Sequence, residues 1–226
     1  HAERSAKLLE ELKRGYPELK IAVTNVGSLG GLLALQRGET HIAGTHLLDP
    51  DTGTYNIPDI KRAIPTVPVV LVHLARREQG LLVRQGNPKG IAGLENLAKQ
   101  GITFINRQPG SGTRVLLDFE LKRLRVDPAA IRGYEREEFT HMAVGVAVAS
   151  GLADVGLGVR SAANALGLDY IPVGEEQYDL LFLRPFFESE RGGKLMEVIR
   201  SEGFKKGAEA LGGYHTRSAG EVLYRQ

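Results

Sequence analysis

Hydrophobic positions along the chain switch repeatedly between two periods. Residues 2–14 place Ala6, Leu9 and Lys13 on one row with Leu8 and Leu12 beside it. That spacing predicts an amphipathic helix of strong helix formers, closed by Gly15. Short apolar runs predict strands at 19–26, 41–48, 67–74, 80–85, 102–107, 153–159, 169–173 and 178–185. Between them lie helical patterns at 32–37, 93–101, from about 113 to 124, 140–151, 161–167 and 192–211. A turn-rich segment at 49–59 leads into a further short helix, and Asp127-Pro128 opens a helical turn with proline at its first position. Gly86-Asn87-Pro88 ends the strand at 80–85, and glycines 38, 101 and 151 stop helices.

Strands alternating with helices over nearly the whole length predict an α/β fold, with mainly parallel sheets flanked by helices. The segments GETHIAG (38–44) and GLADVGL (151–157) share one frame, each after a short apolar helix. This echo suggests two similar halves. No low-complexity stretch and no Pro/Gly/Ser linker separates independent domains.

Composition narrows the function classes. Of 226 residues, 42% are hydrophobic, enough to bury a real core. Twenty-nine basic residues nearly balance 27 acidic ones, with no dense Lys/Arg block, so no direct nucleic-acid contact is expected. The absence of cysteine excludes disulfides, thiolate metal sites and a cysteine nucleophile. It suits the cytoplasm, or a periplasmic or other extracytoplasmic location if a leader has been removed. No apolar run has the length of a membrane span, so no membrane insertion is expected.

Three helix starts carry the candidate chemistry. They are Gly27-Ser28-Leu29-Gly30-Gly31, Gly110-Ser111-Gly112-Thr113 and Thr140-His141. A helix N-terminus leaves backbone N–H groups free at a positive dipole end; glycine lets a ligand approach and hydroxyls add donors, so an anion can be held there. A Ser or Thr in that place can equally be a plain N-cap. Arg114 adds a fixed charge, or pairs with Asp118 one turn on. The polar loop around Thr45, His46, Asp49, Tyr55 and Asn56 closes over a ligand or is an ordinary turn cluster. The histidines lack metal-site spacing, and neither a nucleophile elbow nor a nucleotide-cradling loop is present. No catalytic residue, metal site or cofactor is therefore expected.

Four stretches carry a family resemblance: EQGLLVRQGNP, FINRQPGSGTRVLLDFEL, GYEREEFTHMAVGVAVASGLADVGLG and ALGLDYIPV. They resemble the periplasmic-binding-protein-like (type II) domain associated with molybdopterin biosynthesis. That domain occurs alone, behind the molybdenum-insertion enzyme, or behind a helix-turn-helix segment. The resemblance covers essentially the whole chain, and the Gly-Ser-Gly-Thr run is also similar to oxyanion-binding proteins for phosphate and tungstate. It implies a two-lobe fold with a cleft between lobes: residues 1–84 plus 171–226 as lobe I and 85–170 as lobe II, hinged near 80–88 and 169–180. It implies a molybdate or tungstate ligand, bound without catalysis for cofactor biosynthesis, transport or sensing. Partners would be a fused or associated molybdopterin enzyme, a helix-turn-helix module or a transporter. Carried over by motif, the contacts are Ser28, Ser111, Gly112 and Thr113, with Thr45, Arg114, Thr140 and His141 as further choices. The resemblance also implies a strand and a ligand loop ahead of the first helix, which this sequence does not contain. Two other readings stay open: a regulatory effector domain that binds a small organic ligand, and an enzyme using Ser111.

Overall fold

The computed structural model describes residues 10–18, 20–24 and 26–226. The chain divides into two compact units. Unit 1 comprises 1–76 and 177–226, and unit 2 comprises 77–176. The divisions fall inside two long strands, after Arg76 and after Glu176, where the sequence expectation put 84/85 and 170/171. Each unit is mixed α/β, the two-lobe class expected.

In chain order the elements are α1 (Gly27–Gln36), β1 (Ile42–Thr45), α2 (Ile57–Ala63), β2 (Val69–Val83) and β3 (Phe104–Arg107). Then come α3 (Gly112–Leu124), β4 (Glu137–Glu138), α4 (His141–Ala149), β5 (Val155–Val159), α5 (Arg160–Leu166) and β6 (Asp169–Leu183). The chain finishes with α6 (Arg184–Phe187), α7 (Glu190–Arg200), α8 (Glu202–Glu209), β7 (Tyr214–His215) and β8 (Val222–Arg225). Residues 10–15 are helical as expected; residues 2–9 of the helix foreseen at 2–14 lie outside the described residues.

In unit 1, β1 pairs antiparallel with the second half of β6, from Ile42↔Phe182 to Thr45↔Asp179. The first half of β2 pairs antiparallel with β8. Side chains alternate across a strand, and the core follows that rule. Val70, Val72 and Leu74 pack with Leu180 and Phe182 beneath Leu195, Ile199 and Phe204 of α7 and α8. Val69, Leu71 and Leu181 point the other way, against Leu32 and Leu35 of α1 and Ile60 of α2.

In unit 2, the second half of β2 pairs antiparallel with β5, Gln79↔Val159 to Val83↔Val155. β3 runs parallel to β5 and to β4. Leu81, Phe104, Val155 and Leu157 pack against Leu117 and Leu121 of α3. On the opposite face Leu82 and Ile105 meet Val144, Ala147 and Val148 of α4. The βαβ part is parallel, but β2 and β6 run against their neighbours, so the sheets are mixed where mainly parallel ones were expected. Gly38 and Gly151, the two glycines of the sequence echo, both take positive φ ahead of β1 and β5.

Several elements differ from the sequence reading. The runs 67–74 and 80–85 are one strand, as are 169–173 and 178–185. The polar stretches that divided them stay extended because their charges are compensated inside the fold, as shown below. The helix foreseen at 192–211 breaks at Ser201, whose side chain accepts from the Phe204 N–H and caps α8. The helix foreseen at 93–101 is a short 3₁₀ segment, Leu94–Ala98. Residues 20–24 and 26 form no strand, and Ile21, Val23 and Val26 are exposed. A strand exists only where a partner supplies its ladder, and sequence pattern alone cannot supply one. No helix among the described residues is long and apolar enough to cross a membrane.

Candidate functional site

The strongest constellation lies in unit 2, at the carboxyl end of β3. The chain leaves β3 at Arg107, turns through Gly110 at φ 77°, and enters α3. That positive φ is a left-handed conformation that glycine adopts without strain. Ser111 caps α3, its Oγ accepting from the Arg114 N–H at 3.2 Å. Because the hydroxyl accepts in this bond, its own proton remains available to a ligand. The N–H groups of Gly112 and Thr113 donate to no protein acceptor among the described residues, as the first turn of a helix requires. Thr113 is buried, and its Oγ1 accepts from Gln79 Nε2 at 3.3 Å. Gly112 is buried beside it.

Arg107 completes this turn. It is 8% exposed. Its Nε donates to Gln108 Oε1 at 3.2 Å and to the Glu138 carbonyl at 3.1 Å, and Nη2 donates to the Phe139 carbonyl at 3.0 Å. These bonds tie the start of α3 to the segment that enters α4. Among the described residues Arg107 has no carboxylate at ion-pair distance, and its Nη1 donates to no protein group. Burial, and then the charge of Arg77, push its guanidinium down to about 10, with Glu176 opposing. A desolvated cation held this way favours a nearby negative charge.

Behind this turn the polar residues of β2 and β6 face each other. Arg77 and Glu176, 2% and 1% exposed, form a buried ion pair. Gln79 Nε2 donates to Glu176 Oε2 at 2.6 Å. Gln79 Oε1 is buried without a hydrogen-bond partner among the described residues. The pair explains why β2 stays a strand through Arg77 and Gln79.

Arg114 is 8% exposed and held by several protein groups. Its guanidinium lies 4.1 Å over the Tyr134 ring, 3.6 Å from Asp118 and 3.7 Å from Glu137, and Nη1 donates to the Arg107 carbonyl at 3.2 Å. The alternative pairing with Asp118 is thus present. Thr140 is exposed and caps α4 by accepting from the Ala143 N–H at 2.9 Å. His141 is half-buried in the first turn of that helix.

Unit 1 holds Ser28 and Thr45. Ser28, in the first turn of α1, accepts from the His46 N–H at 3.2 Å and retains its own proton. Thr45 is fully buried and donates to Asn56 Oδ1 at 2.9 Å. Asn56 in turn donates to Asp179 Oδ2 at 2.7 Å, and Asp179 Oδ1 lies 2.8 Å from His73 Nδ1. The Thr45 proton is therefore committed to a structural network that pins the 45–56 loop. A depression of about 520 Å³ on unit 1, lined by His41, Leu183, Pro185 and Phe186 among others, contains none of these residues.

The structure thus gathers Ser111, Gly112 and Thr113 around one helix mouth and adds Arg107, Gln79, Arg77 and Glu176, which motif reasoning missed. A signal existed: Arg77, Gln79 and Glu176 interrupt apolar runs, and Arg107 ends one immediately before the glycine turn.

Residues 9–200 match the PBP superfamily domain. The chain is 40% identical over 197 residues to the uncharacterized protein YvgK of Bacillus subtilis (strain 168), covering 87% of this chain and 63% of that relative. The chain therefore spans less than two thirds of the relative's length. Among solved structures it is similar to a protein from Clostridium perfringens assigned to phosphate ABC transport as a substrate-binding protein, with bound phosphate. That match has a TM-score of 0.67 and 14% identity, and covers 92% of each chain. It is also similar to the substrate binding domain of a protein from Clostridium difficile assigned to molybdenum ABC transport. There the TM-score is 0.62 with 17% identity, and the match covers 94% of this chain and 93% of that one.

Proposed function

The chain belongs to the PBP superfamily, and from that membership we propose that this ligand-binding domain takes a small tetrahedral oxyanion, with molybdate or tungstate as the leading guests. One observation carries the reading. Arg107, a buried guanidinium with no carboxylate at ion-pair distance among the described residues, stands in the same turn as the amides of Gly112 and Thr113, which meet no acceptor among those residues. Hydroxyls of Ser111 and Thr113 add donors, so the turn offers charge and hydrogen bonds together. The choice of molybdate or tungstate rests on the sequence resemblance, since neighbours below one-fifth identity share the fold only.

A non-catalytic role fits the same atoms. A serine nucleophile needs a base within hydrogen-bond reach. Ser111 Oγ is bonded to the Arg114 N–H, and no basic side chain bonds to it among the described residues. Thr45, its proton committed to Asn56, supports the 45–56 loop of unit 1. Delivery of the oxyanion to a molybdopterin enzyme, a transporter or a sensor module follows as the biological role.

The test is calorimetric titration of molybdate, tungstate, phosphate and sulfate into the chain, paired with the double variant Ser111→Ala/Thr113→Ala. Loss of two hydroxyl donors to an anion, each worth about 1.5–3 kcal/mol, should weaken binding at least a hundredfold. Unaltered oxyanion affinity in the double variant would refute this socket.

A further inference from the structure

α4 is a surface helix without a charged face. Its residues, HMAVGVAVA, include no Asp, Glu, Lys or Arg. A surface helix ordinarily turns charged and polar residues outward. Here Met142, Val146 and Ala149 form the outward row at helical spacing, and all three are exposed. Phe139, just ahead of the helix, and Leu152, just after it, are 70% and 73% exposed. We infer that a second copy of this chain covers this face, with the two α4 helices packed antiparallel about a two-fold axis beside Val146. The inference stands apart from the oxyanion reading.

The face is complementary to itself when reversed, as a two-fold contact requires. Phe139 and Leu152 stand equally far along the chain from the middle of the helix, and so do Met142 and Ala149. Reversal therefore sets Phe139 against Leu152 of the second copy, and the long Met142 against the short Ala149. Val146, at the middle, meets its own counterpart. Ala143 and Ala149 flank the ridge made by Met142 and Val146, so the two backbones can approach closely. Reversed helices also bring opposite dipole ends together.

The rim carries opposite charges at opposite ends. Near the start of α4, Glu137 lies 3.7 Å from Arg114 of α3, so Glu138, next along β4, points to the α4 side of the sheet. Glu138 is half-buried, and its carboxylate has no ion-pair partner among the described residues. Near the end of α4, Arg84 lies beside Gly151. Arg84 and Lys89 share one carboxylate, Asp154, at 3.7 and 4.0 Å. The antiparallel arrangement brings Glu138 of each copy towards Arg84 of the other. A helix without Lys or Arg offers nothing to an anionic lipid surface. The exposed apolar side chains amount to on the order of 400 Å² per copy, a patch of the size that marks contact sites. About 800 Å² across the axis, plus the rim, supports a weak and reversible dimer.

The experiment is sedimentation equilibrium of the chain from about 5 µM to about 500 µM. The parent should show a monomer–dimer equilibrium with a micromolar dissociation constant. Val146→Glu sets two like charges at the axis and should weaken the dimer at least about tenfold. Val146 is 49% exposed, so the far-ultraviolet circular dichroism should match the parent's. Glu138→Arg should weaken the dimer by about three- to tenfold, and Glu138→Arg combined with Arg84→Glu should recover it to within about threefold of the parent. A parent that stays monomeric at the highest concentration overturns the inference. A dimer that Val146→Glu leaves intact uses another face and overturns it too. If Val146→Glu does not fold, the charge exchange decides, and no recovery in the double variant overturns the inference.

Discussion

Replacing Arg107 by glutamine separates a ligand-binding arginine from a structural one. In the fold its guanidinium is pushed down to about 10 from the ordinary arginine range, first by burial and then by Arg77. At about 1.4 kcal/mol per unit, the anion-free protein tolerates roughly 3 kcal/mol to keep this charge inside. The sign follows from linkage. The folded value lies below the unfolded one, so the penalty is complete at every pH below about 10 and fades only as pH rises above that towards the ordinary arginine range. Near neutrality only a bound anion relieves it. Arg107→Gln removes the penalty but also the bonds to the carbonyls of Glu138 and Phe139, worth about 1–2 kcal/mol each. These effects nearly cancel, so the anion-free melting temperature should stay within a few degrees of the parent's. Molybdate affinity should fall by at least about thirtyfold, because one charge-assisted hydrogen bond of about 2 kcal/mol is lost. Thermal denaturation without anion and calorimetric titration with molybdate measure the two quantities. A variant that melts far earlier yet binds molybdate within threefold of the parent would make Arg107 a bracket between α3 and α4, and the reasoning would fail.

Two other substitutions should act on stability alone. Arg114→Met removes a guanidinium held by Tyr134, Asp118 and Glu137; chemical denaturation should show a loss of about 1–3 kcal/mol with oxyanion affinity kept within threefold. Thr140→Ala deletes the cap of α4 and should cost about 1 kcal/mol in the same assay. A tenfold loss of affinity in either variant would return that residue to the site.

The alternation of strands and helices, the apolar faces that build the two cores, and the Gly110–Thr113 turn were legible in the sequence. Each depends on neighbours a few residues apart: a period of two or of about four, a cap one turn ahead, a glycine where φ must be positive. The same locality explains the errors. Residues 20–26 have strand composition, but no partner ladder forms on the described residues there. The polar stretches in the middle of β2 and β6 looked like breaks because a lone strand could not bury them. Arg77 and Glu176 stand 99 positions apart, and only the tertiary fold brings them together as a buried pair. Likewise the sequence offered Arg114 as the cation beside the glycine turn. In the fold Arg114 is partnered by Tyr134, Asp118 and Glu137, while Arg107 is a buried charge with no carboxylate at ion-pair distance among the described residues. Local pattern specifies which backbone can form, whereas the state of a buried charge depends on every group that folding places around it.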